Sequence, residues 1–407
     1  MHVIFVEPAF PSNQAQFVRA LKQVGATVSA IGEAPYHALP SKLKEWLTWY
    51  EQVPTVCDLG SMYQATRKLQ QRGWIDRLEA VVEAHVLVTA EVREKCGIPG
   101  TSLETTHACR DKPTMKEILR RKGIPCAAST GASTPEEVKA FIDDVGYPII
   151  VKPRDGAGAA GTYRIDNEAD YDRVMIESGL AERSFPVAVE EFLSGHEGFW
   201  DTITHRGKIR HEFISHYYPN VLHAMRTRWI SPHICVTNRI DSPGYDAVKK
   251  LGRQVLEALN IHTAATHMEW FMTPKGLMFS EIGCRPPGVG AWDLYNVANE
   301  MDLYAEWARM VCSLPPRDFP SRRFASGHVN LRPTRNGRIV GYEGKDALFR
   351  DLGGFITESH FPPVGSPTMP VESGYKANAW VRFKHPDYDT LREMLTRVGE
   401  RVKVHAG

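Results

Sequence analysis

A lysine and a glycine-rich loop follow the apolar residues 149–151, and together they predict a phosphate site. Lys152 precedes Gly156, Gly158 and Gly161, which spell the pattern G-x-G-x-x-G. In a dinucleotide-binding fold this pattern opens a helix directly after a strand, whereas here β-prone residues follow the last glycine. The loop is therefore predicted to be a hairpin tip. An ordinary flexible loop is the alternative to a phosphate site. Glycine amides at such a tip approach phosphate oxygens closely, and the lysine adds a positive charge.

Two glutamates, Glu269 and Glu281, lie in apolar segments that a turn at 273–276 joins. Strand pairing across this turn brings both carboxylates to one side of a hairpin. Adjacent carboxylates repel unless a cation lies between them, and magnesium prefers hard oxygen ligands together with substrate phosphates. Two carboxylates that face solvent are the alternative, which the apolar residues around each glutamate disfavour. We therefore predict a magnesium pair.

Three further side chains are candidates for substrate binding. Arg226 and Arg228 lie in the aromatic-rich segment 215–229, and two guanidinium groups can hold a substrate carboxylate through bidentate contacts. A loop folded over a sheet is the alternative for this segment. His267 precedes Glu269 by two residues, so on a strand both side chains face the same side. A hydrogen-bonded structural imidazole is the alternative for His267.

The N-terminal residues predict a parallel sheet covered by helices. Residues 3–6 and 27–31 have the composition of strands, and an amphipathic stretch at 15–24 lies between them. This order is typical of a β-α-β unit. A helix at 75–84 and a strand at 85–90 are predicted to follow.

The middle of the chain predicts the elements that carry the candidate residues. Asp111 and Lys112 lie shortly before a predicted amphipathic helix at 116–123. Residues 187–193 predict a strand, and the alternation at 198–203 predicts its antiparallel partner.

Length and composition limit the class of protein. At 407 residues the chain exceeds the ~250–300 residues at which single cores stop growing, so several domains are expected. The formal net charge of +1 provides no overall field for nucleic acid or an anionic membrane. The sequence shows neither a secretory leader nor a membrane span, so a cytoplasmic location is expected. Seven cysteines without C-x-x-C spacing indicate neither a disulfide framework nor a cysteine zinc site.

The order of these pieces along residues 1–320 resembles the ATP-grasp superfamily. The resemblance implies a multidomain α/β and α+β fold, with an N-terminal parallel α/β domain and a C-terminal hairpin-rich domain. It implies four units: an N-terminal α/β domain at 1–105, a small subdomain with the glycine-rich loop at 106–189, a large subdomain with the metal site at 190–320, and a C-terminal lid or packing domain at 321–407.

The resemblance also implies roles for single residues. Lys112 and Lys152 would hold the α- and β-phosphates of ATP, and the glycine loop would close over the β- and γ-phosphates. Glu197 would take the ribose hydroxyls. The hinge against adenine would be formed by Glu190, Glu191, Phe192 and Leu193, with Glu190 near the exocyclic amine.

For the metal and the reacting groups, the resemblance places Mg²⁺, with Mn²⁺ as an alternative, on Glu269 and Glu281. Arg285 would lie beside the transferring phosphoryl group and the substrate carboxylate. Many members of the superfamily have Asn two residues after the second glutamate, and this chain has Gly283 there. The number of metal ions is therefore left open.

The expected activity is that of an ATP-dependent carboxylate-amine ligase, most similar to amino-acid and dipeptide ligases. Such an enzyme forms an amide or peptide-like bond through an acyl phosphate and releases ADP and phosphate. Its partners would be a small-molecule carboxylate and an amine, and a homodimer is left open. A kinase is disfavoured because the sequence lacks H-R-D, D-F-G and G-x-x-x-x-G-K-[ST]. A non-catalytic ATP-binding regulator and an enzyme like biotin carboxylase or those of purine biosynthesis stay open.

Overall fold

The computed structural model describes residues 1–156, 161–371 and 377–407. Its N-terminal part is a parallel sheet with the strand order β3-β2-β1-β4. The predicted β-α-β unit is confirmed, because β1 and β2 pair in parallel and α1 connects them. The strands are β1 (His2–Val6), β2 (Thr27–Gly32), β3 (Trp49–Gln52) and β4 (Arg77–Glu79), and the helices are α1 (Gln14–Gln23), α2 (Ser41–Trp46), α3 (Leu59–Gln70), α4 (Val86–Cys96) and α5 (Leu103–Arg110).

The prediction of a helix at 75–84 and a strand at 85–90 is wrong, because the strand comes first. Strand β4 pairs with β1, and helix α4 follows it. An apolar, β-branched run such as 86–92 fits a helix or a strand equally well by periodicity alone. The C-terminus of α4 has a typical helix cap, because Gly97 adopts a left-handed conformation with a φ of +65°.

A small antiparallel sheet follows, with the strand order β5-β8-β6-β7. The predicted hairpin around the glycine-rich loop is confirmed, because β6 and β7 pair antiparallel with Ile149 opposite Ile165. Gly158 lies outside the described residues. The strands are β5 (Ser129–Ala132), β6 (Ile149–Pro153), β7 (Tyr163–Ile165) and β8 (Val187–Glu191), and the helices are α6 (Lys112–Arg121), α7 (Pro135–Val145) and α8 (Glu168–Glu177).

A large antiparallel sheet has the strand order β13-β12-β9-β10-β11-β14-β17-β16, and β15 pairs with β18 beside it. The predicted hairpin of Glu269 and Glu281 is its β12-β13 pair. The strands are β9 (His196–His205), β10 (Lys208–Tyr218), β11 (His233–Val236), β12 (Ala264–Thr273), β13 (Gly276–Gly283), β14 (Ala325–Leu331), β15 (Ile339–Glu343), β16 (Ile356–His360), β17 (Ala379–His385) and β18 (Lys403–Ala406). The helices are α9 (Val221–Arg226), α10 (Asp246–Ala258), α11 (Ala291–Asn299), α12 (Leu303–Val311), α13 (Lys345–Leu352) and α14 (Tyr388–Arg401).

The predicted pairing of residues 187–193 with 198–203 is wrong. Strand β8 pairs with β5 and β6, whereas β9 pairs with β10 and β12. The chain crosses from the small sheet to the large sheet between these two strands, at residues 192–195. Gly195 makes this crossing close to β12, because a Cβ atom at Gly195 would lie 2.1 Å from the carbonyl oxygen of Met272.

Helices fix the N-terminal sheet and the large sheet in place through buried contacts. On the large sheet, Gly252 of α10 lies against the ring of Trp200, where a Cβ atom would come within 2.3 Å of ring carbon. The N-terminal sheet is joined to the large sheet through Phe17 of α1, whose ring packs edge-on against Tyr304 and Trp307 of α12, each with centroids 4.9 Å away. Such aromatic pairs bury large apolar areas with defined geometry.

The three predicted boundaries between the four units stay predictions. The boundary at 320–321 falls between α12 and β14, and β14 pairs with β11 of the same large sheet. The C-terminal segment therefore extends the large sheet. Among the helices of the described residues, none has the length and apolar character that crossing a membrane requires.

Candidate active site

The small sheet and the large sheet face each other across a cleft. Most of the candidate residues line this cleft, from both sides. Those on the side of the small sheet and the crossing segment are Lys112, Lys152, Gly156, Glu190, Glu191, Phe192 and Leu193, and those on the side of the large sheet are Glu197, Glu269 and Glu281. Their individual roles stay predictions.

Glu190, on strand β8 of the small sheet, is the centre of a buried ion cluster. Its Oε2 atom lies 2.8 Å from Nζ of Lys152 and 2.7 Å from Nζ of Lys116. Burial raises the pKa of Glu190, but the two lysines outweigh burial and hold the pKa at about 2. Glu190 is therefore ionised at neutral pH and offsets much of the charge of the two ammonium groups. Its contact with the adenine amine stays a prediction.

Lys116 is a site residue that the sequence analysis missed. Its side chain is 1% exposed and lines the cleft. A signal was present, because Lys116 follows Lys112 by four residues on α6, and residues four apart share a helix face. Two lysines from one helix thus enter the cleft together.

Lys112 and Lys152 both approach Glu281. Each Nζ atom lies 3.8 Å from Oε2 of Glu281, and Lys112 also donates to the carbonyl oxygen of Gly156 at 2.6 Å. Burial raises the pKa of Glu281, but Lys112 and Lys152 outweigh it, so the pKa is lowered overall. The two cationic side chains and the carboxylate therefore meet in one place without a steric barrier between them.

Three carboxylates from adjacent strands of the large sheet gather in the cleft. Glu269 stands directly opposite Glu281 in the β12-β13 register, and Glu197 lies on the neighbouring strand β9. Burial and the nearby charge of Glu269 raise the pKa of Glu197 well above its ordinary value. A cation at this place would relieve the repulsion, and carboxylates are the oxygen donors that Mg²⁺ uses.

These carboxylates fit a magnesium ion that is shared with phosphate oxygens. Among the described residues, no group of three or more His, Cys, Asp or Glu side chains has the geometry of a complete metal site. Magnesium in nucleotide sites ordinarily takes one or two carboxylates and completes its coordination with phosphates and water. Glu269 and Glu281 would be the two protein ligands.

The hinge segment is held by the small sheet and the residues next to its strands. The backbone N–H groups of Glu191 and Phe192 donate to the carbonyl oxygens of Ala128 and Pro148, at 2.9 and 3.1 Å. The Phe192 ring lies 4.1 Å from the guanidinium of Arg164, which is a cation–π contact. The anchored backbone and the apolar side chains of Phe192 and Leu193 suit a planar base.

Comparison with known proteins identifies this arrangement. Residues 117–299 match the sequence model of the ATP-grasp domain. The chain contains an ATP-grasp domain. The matched residues include Lys152, Glu190, Glu269 and Glu281, while Lys112 and the N-terminal sheet lie before the match.

Relatives of this chain include a named ligase. The L-arginine-specific L-amino acid ligase of Bacillus subtilis is 28% identical over 268 residues, which are 65% of this chain and 63% of the relative. The chain thus matches less than two thirds of the length of that relative.

Solved structures share the fold over the whole chain. The L-amino acid ligase of Bacillus licheniformis aligns at a TM-score of 0.77 and 15% identity, covering 100% of this chain and 98% of its own. The N5-carboxyaminoimidazole synthase of Aspergillus clavatus, solved with ADP and 5-aminoimidazole ribonucleotide, aligns at 0.68 and 16% identity, covering 98% of this chain and 99% of its own. These likenesses establish the fold, and they confirm the predicted fold class.

His267, on the same strand as Glu269, contacts two acidic residues. Its Nδ1 atom lies 2.7 Å from Oδ1 of Asp201, and its Nε2 atom lies 3.5 Å from Oε1 of Glu269. Burial lowers the pKa of His267, but Asp201 and Glu269 outweigh burial and raise the pKa to about 10. His267 does not itself line the cleft, and its contact with substrate stays a prediction.

At one end of the ATP-grasp domain, Arg285 pairs with Glu83 from the N-terminal part. Glu83 also accepts from Nη1 of Arg110 at 2.5 Å. Burial raises the pKa of Glu83, but the two guanidinium groups outweigh it and hold the pKa at about 2. The sequence analysis missed Glu83, because this contact joins residues 202 positions apart and no local pattern marks it.

Glu83 also occupies the space beside Gly283. A Cβ atom at Gly283 would lie 3.2 Å from Oε2 of Glu83. At the position where many superfamily members carry Asn, the space therefore holds a carboxylate from another part of the chain.

The structure does not bring Arg226 and Arg228 to the lining of the cleft. Arg226 donates to the carbonyl oxygen of Thr162 at 2.7 Å, next to Gly161 at the end of the glycine-rich loop. Arg228 donates to Pro333 at 3.3 Å and to Asn336 at 2.5 Å, in the C-terminal segment. Their role in binding a substrate carboxylate stays a prediction.

Proposed function

We propose that this ATP-grasp protein is an ATP-dependent carboxylate-amine ligase. It forms an amide or peptide-like bond and releases ADP and phosphate. One observation carries the proposal: Lys112 and Lys152 line the same cleft as Glu269 and Glu281, although they come from opposite sides of it. A triphosphate of about four negative charges with a divalent cation matches this pairing of cationic and acidic side chains.

The chain's own residues would act by position and charge. Lys112 and Lys152 would neutralise the phosphates, and Glu269 and Glu281 would hold a magnesium ion, which when bound withdraws charge from the phosphate oxygens. Arg285 would stabilise the charge that develops on the transferring phosphoryl group. No protein nucleophile is required for such a transfer.

The bond changes of the proposed reaction balance without a further reactant. An oxygen of the substrate carboxylate attacks the γ-phosphorus, and the bond between that phosphorus and the β,γ-bridging oxygen breaks, so ADP leaves and an acyl phosphate forms. The amine nitrogen then attacks the acyl carbon. The bond between the acyl carbon and the phosphate oxygen then breaks. Phosphate leaves, and the nitrogen loses a proton to water.

The proposed substrates are amino acids, one supplying the carboxylate and another the amine. The curated relative is named as a ligase of L-amino acids, and a solved structure that shares the whole fold carries a similar name. The whole-chain likeness to an N5-carboxyaminoimidazole synthase supports a second candidate, in which bicarbonate is the carboxylate.

A screen for ADP release separates these candidates. The purified chain would be incubated with Mg²⁺-ATP and pools of L-amino acids in one arm. The other arm would contain Mg²⁺-ATP, bicarbonate and 5-aminoimidazole ribonucleotide. Mass spectrometry would then measure the masses of the products. We expect amino-acid-dependent ADP release and a product whose mass is that of two amino acids less one water. Glu281→Gln serves as the inactive control. ADP release in the bicarbonate arm alone would favour the second candidate, and no ADP release in either arm would contradict the ligase proposal.

A further inference from the structure

A line of buried polar side chains runs from α11 to Glu269. Oδ2 of Asp201 accepts from the hydroxyl of Tyr295 at 2.5 Å, while Oδ1 of Asp201 contacts Nδ1 of His267 at 2.7 Å. Nε2 of His267 then faces Oε1 of Glu269 at 3.5 Å. The line therefore runs from α11 through β9 to β12, and it ends on a carboxylate of the cleft.

Tyr295, Asp201 and His267 each make more than one contact that fixes the side chain. Tyr295 is fully buried, its ring stacks on Phe213 at a centroid distance of 4.4 Å, and its hydroxyl lies 3.3 Å from Oγ of Ser215. Asp201, 1% exposed, has both carboxylate oxygens engaged. The imidazole of His267 also meets the ring of Phe199 at 5.0 Å, edge to face. The orientation of the imidazole is thus fixed before any ligand enters.

We propose that His267 is a positioning residue for Glu269. Asp201 and Tyr295 fix the imidazole, and Nε2 of His267 holds one oxygen of Glu269 so that the carboxylate is presented to a divalent cation in the cleft. This inference rests on the proposed function, and it replaces substrate contact with a different role for His267. Partners of this kind behind a metal ligand ordinarily contribute about 10- to 100-fold to metal affinity.

The geometry favours this role over two simpler ones. A substrate ligand would line the cleft, and His267 does not. A histidine that serves only the core resembles His211, which pairs with Glu306 at 2.9 Å with neither side chain exposed and which lies outside the cleft lining. His267 differs because its second nitrogen faces a residue that does line the cleft.

Amide side chains distinguish the two nitrogens of His267. In His267→Asn the amide nitrogen falls near the position of Nδ1 and can still meet Asp201, but nothing reaches Glu269. In His267→Gln the amide falls near the position of Nε2 and can still meet Glu269. Asp201→Asn is a further variant that weakens the support of His267 without touching Glu269. His211→Asn is the matched control, since it alters a buried histidine-carboxylate pair elsewhere.

The measurement is the binding of Mn²⁺ to the full chain in the presence of ADP, followed by the electron paramagnetic resonance signal of free Mn²⁺. We expect His267→Asn to weaken Mn²⁺ binding by about 10- to 100-fold, Asp201→Asn to weaken it less, and His267→Gln to restore most of it. His211→Asn should bind Mn²⁺ as the natural protein does. ADP affinity measured in EDTA should stay the same in all variants, because the line ends at the metal ligand.

The outcomes separate this inference from the proposed function. If the natural protein binds Mn²⁺ with ADP and His267→Asn binds it equally well, the positioning role is wrong and the proposed function stands. If the natural protein shows no Mn²⁺ binding with ADP, both are wrong. If His267→Asn fails to fold, the Mn²⁺ affinities of His267→Gln and Asp201→Asn test the positioning role instead. Equal Mn²⁺ affinity in Asp201→Asn and the natural protein then overturns the inference.

Discussion

The Nζ atom of Lys152 lies 3.8 Å from Oε2 of Glu281, although the two residues belong to strands of different sheets. Lys152 comes from β6 of the small sheet and Glu281 from β13 of the large sheet. A phosphate that binds the lysine and a cation that binds the glutamate would therefore contact each other. This relationship supports a single site for a magnesium-nucleotide complex.

Lys152→Ala is expected to weaken ATP binding by about 10- to 100-fold, because a charge-assisted hydrogen bond contributes about 1.5–3 kcal/mol. Isothermal titration calorimetry with Mg²⁺-ATP measures this affinity directly. Lys139→Ala is the control, since Lys139 pairs with Glu168 on the surface of the same subdomain. Equal ATP affinity in Lys152→Ala and the natural protein would refute the phosphate role of Lys152.

Glu281→Gln is expected to lower the rate of ADP formation by about 100-fold or more, because one anionic ligand of the reacting complex is removed. The melting temperature should change little, since the amide keeps the size of the side chain. Glu257→Gln, at an exposed position of α10, should keep full turnover. Full turnover by Glu281→Gln in the ADP-release assay would show that the carboxylate is not a metal ligand.

The ion cluster of Glu190 predicts a dependence of stability on pH. The folded-state pKa of Glu190, about 2, lies below its ordinary value of 4.5. Its ionised form therefore stabilises the folded protein above about pH 4.5, and this stabilisation is lost as the pH falls from there towards 2.

Glu190→Gln should accordingly lower the free energy of unfolding by about 3 kcal/mol at neutral pH. The difference from the natural protein should narrow as the pH falls below about 4.5, because both chains then carry an uncharged group at this position. Urea unfolding at a series of pH values measures this difference. Glu117→Gln, which alters an exposed ion pair with Arg121, should have a much smaller effect. A difference that does not change with pH would contradict the assigned ionisation of Glu190.

Gly283→Asn introduces the residue that many superfamily members carry, and here it is expected to destabilise the protein by about 1–3 kcal/mol. The cause is overpacking against Glu83, whose Oε2 would lie 3.2 Å from the new Cβ atom. In a double-mutant cycle with Glu83→Ala, the cost of Gly283→Asn should become smaller, because the opposing carboxylate is gone. Thermal unfolding of the four chains measures the coupling, and strictly additive effects would show that the two positions do not interact.

The sequence predicted the site best where a residue type conflicted with its local surroundings. Lys152 at the end of an apolar strand, and Glu269 and Glu281 in an apolar hairpin, are charges that burial disfavours unless a partner is present. Lys116 was missed because a lysine on an amphipathic helix ordinarily lies in solvent. Its burial depends on Glu190, which a separate part of the chain supplies.

Contacts between distant segments could not be predicted from the sequence, because they form only when separate parts of the chain pack together. Glu83 meets Arg285 only after the N-terminal sheet packs on the large sheet, and nothing near Glu83 in the sequence encodes that packing. The pairing of β8 was mistaken because adjacent strands usually pair, whereas the chain here crosses between sheets at 192–195. The order of β4 and α4 was mistaken because a short apolar run fits both elements by periodicity.

A crystal structure of the full chain with Mg²⁺ and a non-hydrolysable ATP analogue tests the central claim most directly. We expect the triphosphate between Lys112 and Lys152, with a magnesium ion that both Glu269 and Glu281 contact. A nucleotide bound elsewhere, or a magnesium ion that contacts neither glutamate, would contradict the claim that the two sides of the cleft bind one ligand.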